Sequence, residues 1–131
     1  MTLDALGIAG TGLSVNQTWL NAISDNLANI NDTTSPNAPA FQERYVEAQA
    51  NAGTDGVSLA ATPFGSSAGQ LVYSPDDPNA DPKTGYVKKT TIDLSSQMGD
   101  LIMAQRAYQA DAQVANRAQS IYQAALQIGK N

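Results

Sequence analysis

Every proline of this 131-residue chain falls in one stretch: Pro36, Pro39, Pro63, Pro75, Pro78 and Pro82. Proline is the residue that a helix interior tolerates least, because it removes a hydrogen bond and clashes with the preceding turn. The chain therefore divides into two helix-permissive ends, 1–31 and 92–131, and a middle, 32–91, in which helix is repeatedly interrupted. Large apolar residues follow the same division. Residues 1–31 hold nine of the 25 Leu, Ile, Val and Phe, residues 92–128 hold eight, and the sixty residues between hold the other eight.

Both ends carry heptads. Leu6, Leu13, Leu20 and Leu27 are seven apart, with Ala9, Asn16, Ile23 and Ile30 three residues after each. This is the pattern of a helix whose seam faces another helix. Asn16, at a seam position, costs stability and helps to fix register. Gly7, Gly10 and Gly12 each cost about 1 kcal/mol relative to Ala in a helix interior. The sequence thus predicts a firm helix from about Ser14, with two frayed turns before it and a stop at Asn29-Ile30-Asn31-Asp32. In the C-terminal zone Leu94, Leu101, Tyr108, Ala115 and Tyr122 repeat at seven, flanked by Ala104, Ala118 and Ala125 on one side and Val114, Ile121 and Ile128 on the other. A helix over 94–128 follows, ended by Gly129.

Length decides the architecture that these helices imply. At 1.5 Å per residue a helix of this extent is about 50 Å long, whereas a compact chain of this size has a diameter of roughly 36 Å. The expected fold is mainly α and elongated: the two terminal helices pair as an antiparallel coiled coil, with a small irregular or β excursion between them. Within the excursion Val57-Ser58-Leu59 and Leu71-Val72-Tyr73 are strand candidates bounded by glycines. Phe41 to Val46 is readable as a strand or a helical turn, and Pro75 to Pro82 as a loop.

Composition excludes most chemistry. The chain has no His and no Cys, so disulfides, thiolate nucleophiles, Cys/His zinc sites and imidazole acid–base catalysis are absent. A net charge of −5 with seven basic residues argues against nucleic acid and anionic membrane surfaces, which need clustered Lys and Arg. No run approaches the ~20 apolar residues that span a bilayer. No Lys or Arg precedes Arg44, so the basic region of a cleaved secretory signal is missing.

Two constellations resemble sites and fail on geometry. Asp77-x-Asn79-x-Asp81 mimics the start of an EF-hand loop, but Pro82 stands where the turn needs Gly and Lys88 where the bidentate Glu belongs; the expectation is a solvated turn. Gly7-x-x-Gly10-x-Gly12 has no preceding strand and no Gly-Lys-Ser/Thr ending, so it is no phosphate loop. Neither a cofactor nor a metal is expected. Charged residues are 15% of the chain against a usual ~25%, and Gln105, Gln109, Gln113, Gln119 and Gln123 stand where a free surface helix carries ion pairs. Charge depletion marks the centres of protein interfaces.

Ser24-Asp25-Asn26-Leu27-Ala28-Asn29 resembles the N-terminal signature shared by bacterial flagellar axial proteins, the rod, hook and hook-associated subunits. Met98-Gly99-Asp100-Leu101-Ile102-Met103-Ala104-Gln105-Arg106-Ala107-Tyr108-Gln109-Ala110 is similar to their C-terminal signature. Between them Tyr73-Ser74-Pro75-Asp76-Asp77-Pro78-Asn79-Ala80-Asp81, followed by Gly85-Tyr86-Val87, resembles the proximal rod members of the family. The likeness covers nearly the whole chain. It departs at Gly65 to Gln70, which has the look of an insertion, at Asp111, where Asn is common, and at Phe41 to Arg44, which is less basic than usual.

The resemblance implies a structural subunit of the flagellar basal-body rod that polymerises through its terminal helices and transmits torque from motor to hook, with no enzymatic activity. Its implied partners are copies of itself, other rod subunits and the flagellar type III export apparatus. It implies a place in the rod, in the periplasm or the cell-wall zone, reached without a cleaved signal. The alternatives are another short axial subunit, or a secreted helical-hairpin adaptor. Against the adaptor, Trp19-Leu20-Asn21 lacks the turn glycine of such hairpins.

Overall fold

A computed structural model describes residues 2–129, with side chains from Asp4 onward. It contains two long helices, α1 (Thr2–Ala28, 27 residues) and α2 (Leu94–Ile128, 35 residues). Between them lie five short strands: β1 (Thr33–Thr34), β2 (Glu47–Ala50), β3 (Val57–Ala61), β4 (Gln70–Tyr73) and β5 (Tyr86–Lys89). The fold is mainly helical with a small β region, as the proline distribution predicts, and α2 has the predicted bounds. Among the described residues no helix is long and apolar enough to cross a membrane.

The residues form two compact units, each assembled from separate stretches of chain. One comprises Met1–Asn21, Val46–Thr62 and Leu101–Asn131; the other comprises Ala22–Tyr45 and Pro63–Asp100. In the first, β2 and β3 form an antiparallel hairpin whose loop lies on α1. The Thr11 hydroxyl donates to the Ile8 carbonyl (2.7 Å) and accepts the Val57 N–H (3.1 Å). Gly56 closes the loop at φ +77°, and a Cβ there would lie 3.2 Å from the Ile8 Cα and collide with the Thr11 hydroxyl. Only glycine meets both the backbone angle and the close approach.

These contacts bear on the glycine-rich start of α1, where the sequence predicts frayed turns before Ser14. The helix runs from Thr2 because tertiary contacts outweigh the glycine penalties. Ala9 is buried, the hairpin holds Thr11, and Gly12 faces Asp111, whose Oδ2 accepts a hydrogen bond from Asn16 Nδ2 (2.9 Å). A Cβ on Gly12 would come within 2.9 Å of the Asp111 Cγ, whereas Gly7 and Gly10 have open space. Gly10→Ala is therefore expected to stabilise the isolated chain by about 1 kcal/mol, raising its melting temperature by about 4 °C. Gly12→Ala gains the same helix propensity but displaces Asp111, losing a bond worth about 1 kcal/mol, and its melting temperature should stay within about a degree of the parent's. Equal gains for the two would show that Gly12 has no packing role.

In the second unit β1, β5 and β4 form a three-stranded antiparallel sheet in that order. Val72 pairs with Val87 and Tyr73 with Tyr86; Val87 is buried, while Leu71, Tyr73 and Tyr86 are exposed. Phe41 to Val46 is neither of the predicted alternatives. It is extended chain with a single bridge, Arg44 to Phe64, and the strand begins only at Glu47. The Gly65 to Gln70 segment is tied to it: Gly65 N–H donates to Glu43 O (2.7 Å), Ala40 N–H to Ser67 O (2.9 Å) and Gln42 Nε2 to Gly65 O (2.8 Å).

The N-terminus of α2 is capped by Asp93. Its Oδ2 accepts from the Ser96 N–H (2.7 Å) and the Ser96 hydroxyl (2.9 Å), an N-cap arrangement that satisfies a helix donor lacking an intrahelical partner. The Ser96 N–H, and then its hydroxyl, hold the Asp93 carboxyl below its usual range. A lowered carboxyl contributes stability above the unfolded value, ~3.9, and loses it as pH falls through the folded value. Protection of the Ser96 amide from exchange should drop as pH falls below about 4, and Asp93→Asn should remove that step. An unchanged step in the variant would assign it to another carboxylate.

Candidate functional site

The signature residue Asn26 sits on the last turn of α1 and is 1% exposed. Its amide acts like a piece of extended backbone toward the segment beside it. Asn26 Nδ2 donates to Arg44 O (2.9 Å), and Asn26 Oδ1 accepts the Arg44 N–H (2.8 Å). The second amide hydrogen goes to Gln97 Oε1 on α2 (3.0 Å). Gln97, itself buried, donates from Nε2 to Glu43 Oε1 (2.6 Å), and Glu43 Oε2 accepts the Tyr45 hydroxyl (2.7 Å). That bond to Glu43, then burial, raises the Tyr45 phenol above its ordinary 10. Four side chains thus join the end of α1, the start of α2 and the 43–45 segment. No described buried side-chain polar atom is left unpaired.

The exposed flank of this node is weaker. Arg44 Nη1 meets Asp25 Oδ2 at 2.7 Å with both side chains half exposed, a geometry worth at most about 1 kcal/mol. The Arg44 guanidinium also lies over Phe64, 5.8 Å from the ring centroid. Asn29 ends the helix: its backbone N–H (3.2 Å) and its Nδ2 (2.8 Å) both donate to Asp25 O. Ala28 is exposed beside it.

The second motif folds on itself as the loop between β4 and β5. Asp77 O accepts the Ala80 N–H (3.0 Å), and Asp77 Oδ1 accepts the Asn79 N–H (2.8 Å), so Pro78 occupies the turn position that its fixed φ suits. Asp81 Oδ1 accepts the N–H groups of Lys83 (2.7 Å) and Thr84 (3.1 Å). Gly85, at φ +72°, would carry a Cβ 2.7 Å from the Tyr73 ring and 3.3 Å from Pro75. Tyr73 and Tyr86 meet edge to face at 5.4 Å. The carboxylates that look like a calcium loop in sequence therefore hold backbone. Asp77 Oδ2 also accepts the Thr33 hydroxyl (3.0 Å), which ties the loop to β1 and corrects the reading of a merely solvated turn.

The helix-seam residues are placed unevenly. Ile23 and Ala104 are buried; Leu13, Leu20, Leu27, Ile30, Leu101, Tyr108 and Ala115 are half buried. Leu6, Leu94 and Tyr122 are exposed. Arg106 is exposed and has no ion pair among the described residues, and Ala107 is half buried. An open groove lined by Ile30, Asn31, Gln70 and the 89–94 segment carries two charged groups: Lys89, which donates to Asn31 Oδ1 (3.2 Å), and Asp93, which caps α2. Neither is paired for acid–base work.

Sequence reasoning missed Gln97 and the contact face of Asp111, although a signal existed. Counting by seven through Ala104 and Ala118 gives the column Gln97, Ala104, Asp111, Ala118, Ala125. Its two polar members are the ones that hydrogen-bond to α1, at Asn26 and Asn16.

Residues 6–36 match the family described as flagella basal body rod protein, and residues 83–128 match the C-terminal family of the flagellar basal body rod FlgEFG proteins. The chain is 34% identical to the flagellar basal-body rod protein FlgC of Escherichia coli O6:H1, over 98% of both chains. The chain belongs to the FlgC family. FlgC of Salmonella typhimurium is 33% identical over 98% of both chains, and FlgC of Bacillus subtilis is 27% identical over 96% of this chain and 97% of its own. The FlgC-type chain is a structural subunit of the flagellar basal-body rod, assembles there with other rod subunits, and is not an enzyme. The two family matches cover the ends of the chain, which hold α1 with Asn26 and α2 with Gln97, while the β4–β5 loop lies largely between them.

Proposed function

We propose that the chain polymerises through its terminal helices, paired within each subunit as an antiparallel coiled coil, and that the polymer carries torque from motor to hook. The observation that carries this is the pair of bonds between α1 and α2: Asn16 with Asp111, and Asn26 with Gln97. Residue number rises along one helix as it falls along the other, the order of an antiparallel seam. Residues 1–31 and 92–131 are then the assembly zones, and 32–91 the excursion that braces them. Leu6, Leu13, Leu20, Ile23, Leu27 and Ile30 form one side of the seam. Leu94, Leu101, Ala104, Tyr108, Ala115 and Tyr122 form the other, and its exposed members are covered on assembly.

In this reading the partners are copies of the chain and the adjoining rod subunits. Delivery is by the flagellar type III export apparatus without a cleaved signal, to a rod in the periplasm or cell-wall zone. Deleting the gene should abolish swimming and remove rods from detergent-extracted basal bodies, and the wild-type chain supplied in trans should restore both. Normal rods in the deletion strain would end the proposal.

A further inference from the structure

Asp55 is the one Asp or Asn of the chain that precedes a glycine. It lies in the loop between β2 and β3 and is exposed. Its backbone carbonyl accepts a hydrogen bond from Asn51 Nδ2 (3.1 Å), whereas its carboxyl has no hydrogen bond or ion pair among the described residues. Gly56 likewise uses its carbonyl, which accepts the Asn51 N–H (2.9 Å), and its own N–H has no acceptor among the described residues. A free carboxyl thus stands one residue before a free amide nitrogen that no Cβ shields. The other aspartates are placed differently. Asp77 and Asp81 precede prolines, which have no N–H to give. The carboxyls of Asp25, Asp93 and Asp111 are held by Arg44, Ser96 and Asn16, and Asp4, Asp32, Asp76 and Asp100 precede residues with side chains.

We propose that Asp55-Gly56 is a site of spontaneous isoaspartate formation, and that this change detaches the β2–β3 hairpin from α1. The Gly56 nitrogen attacks Asp55 Cγ. A C–N bond forms, the bond from Cγ to the carboxyl hydroxyl breaks, and that hydroxyl leaves as water with the amide proton. A second water then opens the five-membered succinimide. Opening at the α-carbonyl leaves the main chain running through Cγ, longer by one methylene, with the former α-carbonyl as a free carboxylate. Composition and charge end as they began, and water is the only co-reactant.

The seat of the hairpin has no room for that methylene. Gly56 lies so close to α1 that a Cβ on it would stand 3.2 Å from the Ile8 Cα. Beside it the Val57 N–H is bonded to the Thr11 hydroxyl (3.1 Å). Lengthening the chain immediately before Gly56 shifts its carbonyl from the Asn51 N–H and carries Val57 off Thr11. A bond change at an exposed loop tip, where chains tolerate alteration best, therefore removes a contact that holds the glycine-rich start of α1. The change is internal to one chain and does not depend on how copies assemble.

The purified full-length chain, kept near neutral pH at body temperature for several weeks, tests this. Protein isoaspartyl methyltransferase with labelled S-adenosylmethionine counts isoaspartate, fragmentation mass spectrometry locates it, and hydrogen exchange follows the Val57 and Ser96 amides. Isoaspartate should accumulate at residue 55, preceded by a species lighter by one water. In the altered fraction the Val57 amide should lose its protection while the Ser96 amide keeps it. Asp55→Glu, which would have to close a six-membered ring, should begin with the parent's Val57 protection and gain no isoaspartate. Asp55→Asn, which expels ammonia instead of water, should gain it faster than the parent. An aged parent chain without isoaspartate at residue 55 overturns the site. Isoaspartate there with Val57 protection unchanged overturns the detachment, as does an Asp55→Glu chain that loses that protection at the parent's rate.

Discussion

Asn26→Leu should unfold the unit built around β1, β4 and β5 and leave cells non-motile. Leucine has nearly the shape of asparagine, so the change removes hydrogen bonds without leaving a hole. It orphans the N–H and the carbonyl of Arg44 and the Oε1 of Gln97, all of which Asn26 engages. A buried polar group left unpaired costs about 1–3 kcal/mol, so the three together cost roughly 3–9 kcal/mol, against a total stability of about 5–15 kcal/mol for a typical domain. Asp25→Ala, which removes only the half-exposed pair with Arg44, should cost under about 1 kcal/mol and leave swimming intact. Asn26→Asp should fall between, because a carboxylate accepts the Arg44 N–H but donates nothing to its carbonyl. Urea titration of the three variants orders them. If Asn26→Leu melts within about 1 kcal/mol of the parent, the amide is not what holds the 43–45 segment.

The same residue shows what could be read from the chain alone and where that reading stopped. Asn26 stands out because the motif around it is familiar and because it follows a heptad. What it touches does not, since Arg44 is eighteen residues away and offers backbone, which leaves no trace in side-chain pattern. The long helix was legible because thirty-five residues without proline, ended by glycine, allow little else. The start of α1 was not, because three glycines argue locally against helix and the contacts that overrule them, through Thr11 and Asp111, come from distant parts of the chain. Val57 and Leu71 announce β3 and β4. By contrast β2 reads Glu-Ala-Gln-Ala, a composition with no preference for strand, and it is a strand because the tight Gly56 loop brings β3 beside it. The acidic loop misled in the opposite sense: aspartates spaced like metal ligands serve as acceptors for turn N–H groups, and spacing alone does not distinguish the two uses.

Ala104→Asp should abolish rods altogether. Ala104 is 0% exposed and lies between Gln97 and Asp111, which hydrogen-bond to Asn26 and Asn16 of α1, so a carboxylate there is buried with no basic group in α1 to receive it. An uncompensated buried charge costs about 3–5 kcal/mol, and the bulk of the new side chain adds the strain of overpacking, about 1–3 kcal/mol. A chain whose hydrophobic content rests on 21 alanines has little burial to set against this. Leu101→Asp and Leu20→Asp, at half-buried positions of the proposed seam, should also stop assembly and swimming. Gln109→Asp, at an exposed position of the same helix, should change stability by less than about 0.5 kcal/mol and leave swimming as it is. The contrast between Ala104 and Gln109 isolates the face from the charge. Cells carrying Ala104→Asp that swim at the parental rate would show that this column is not the one that assembly uses.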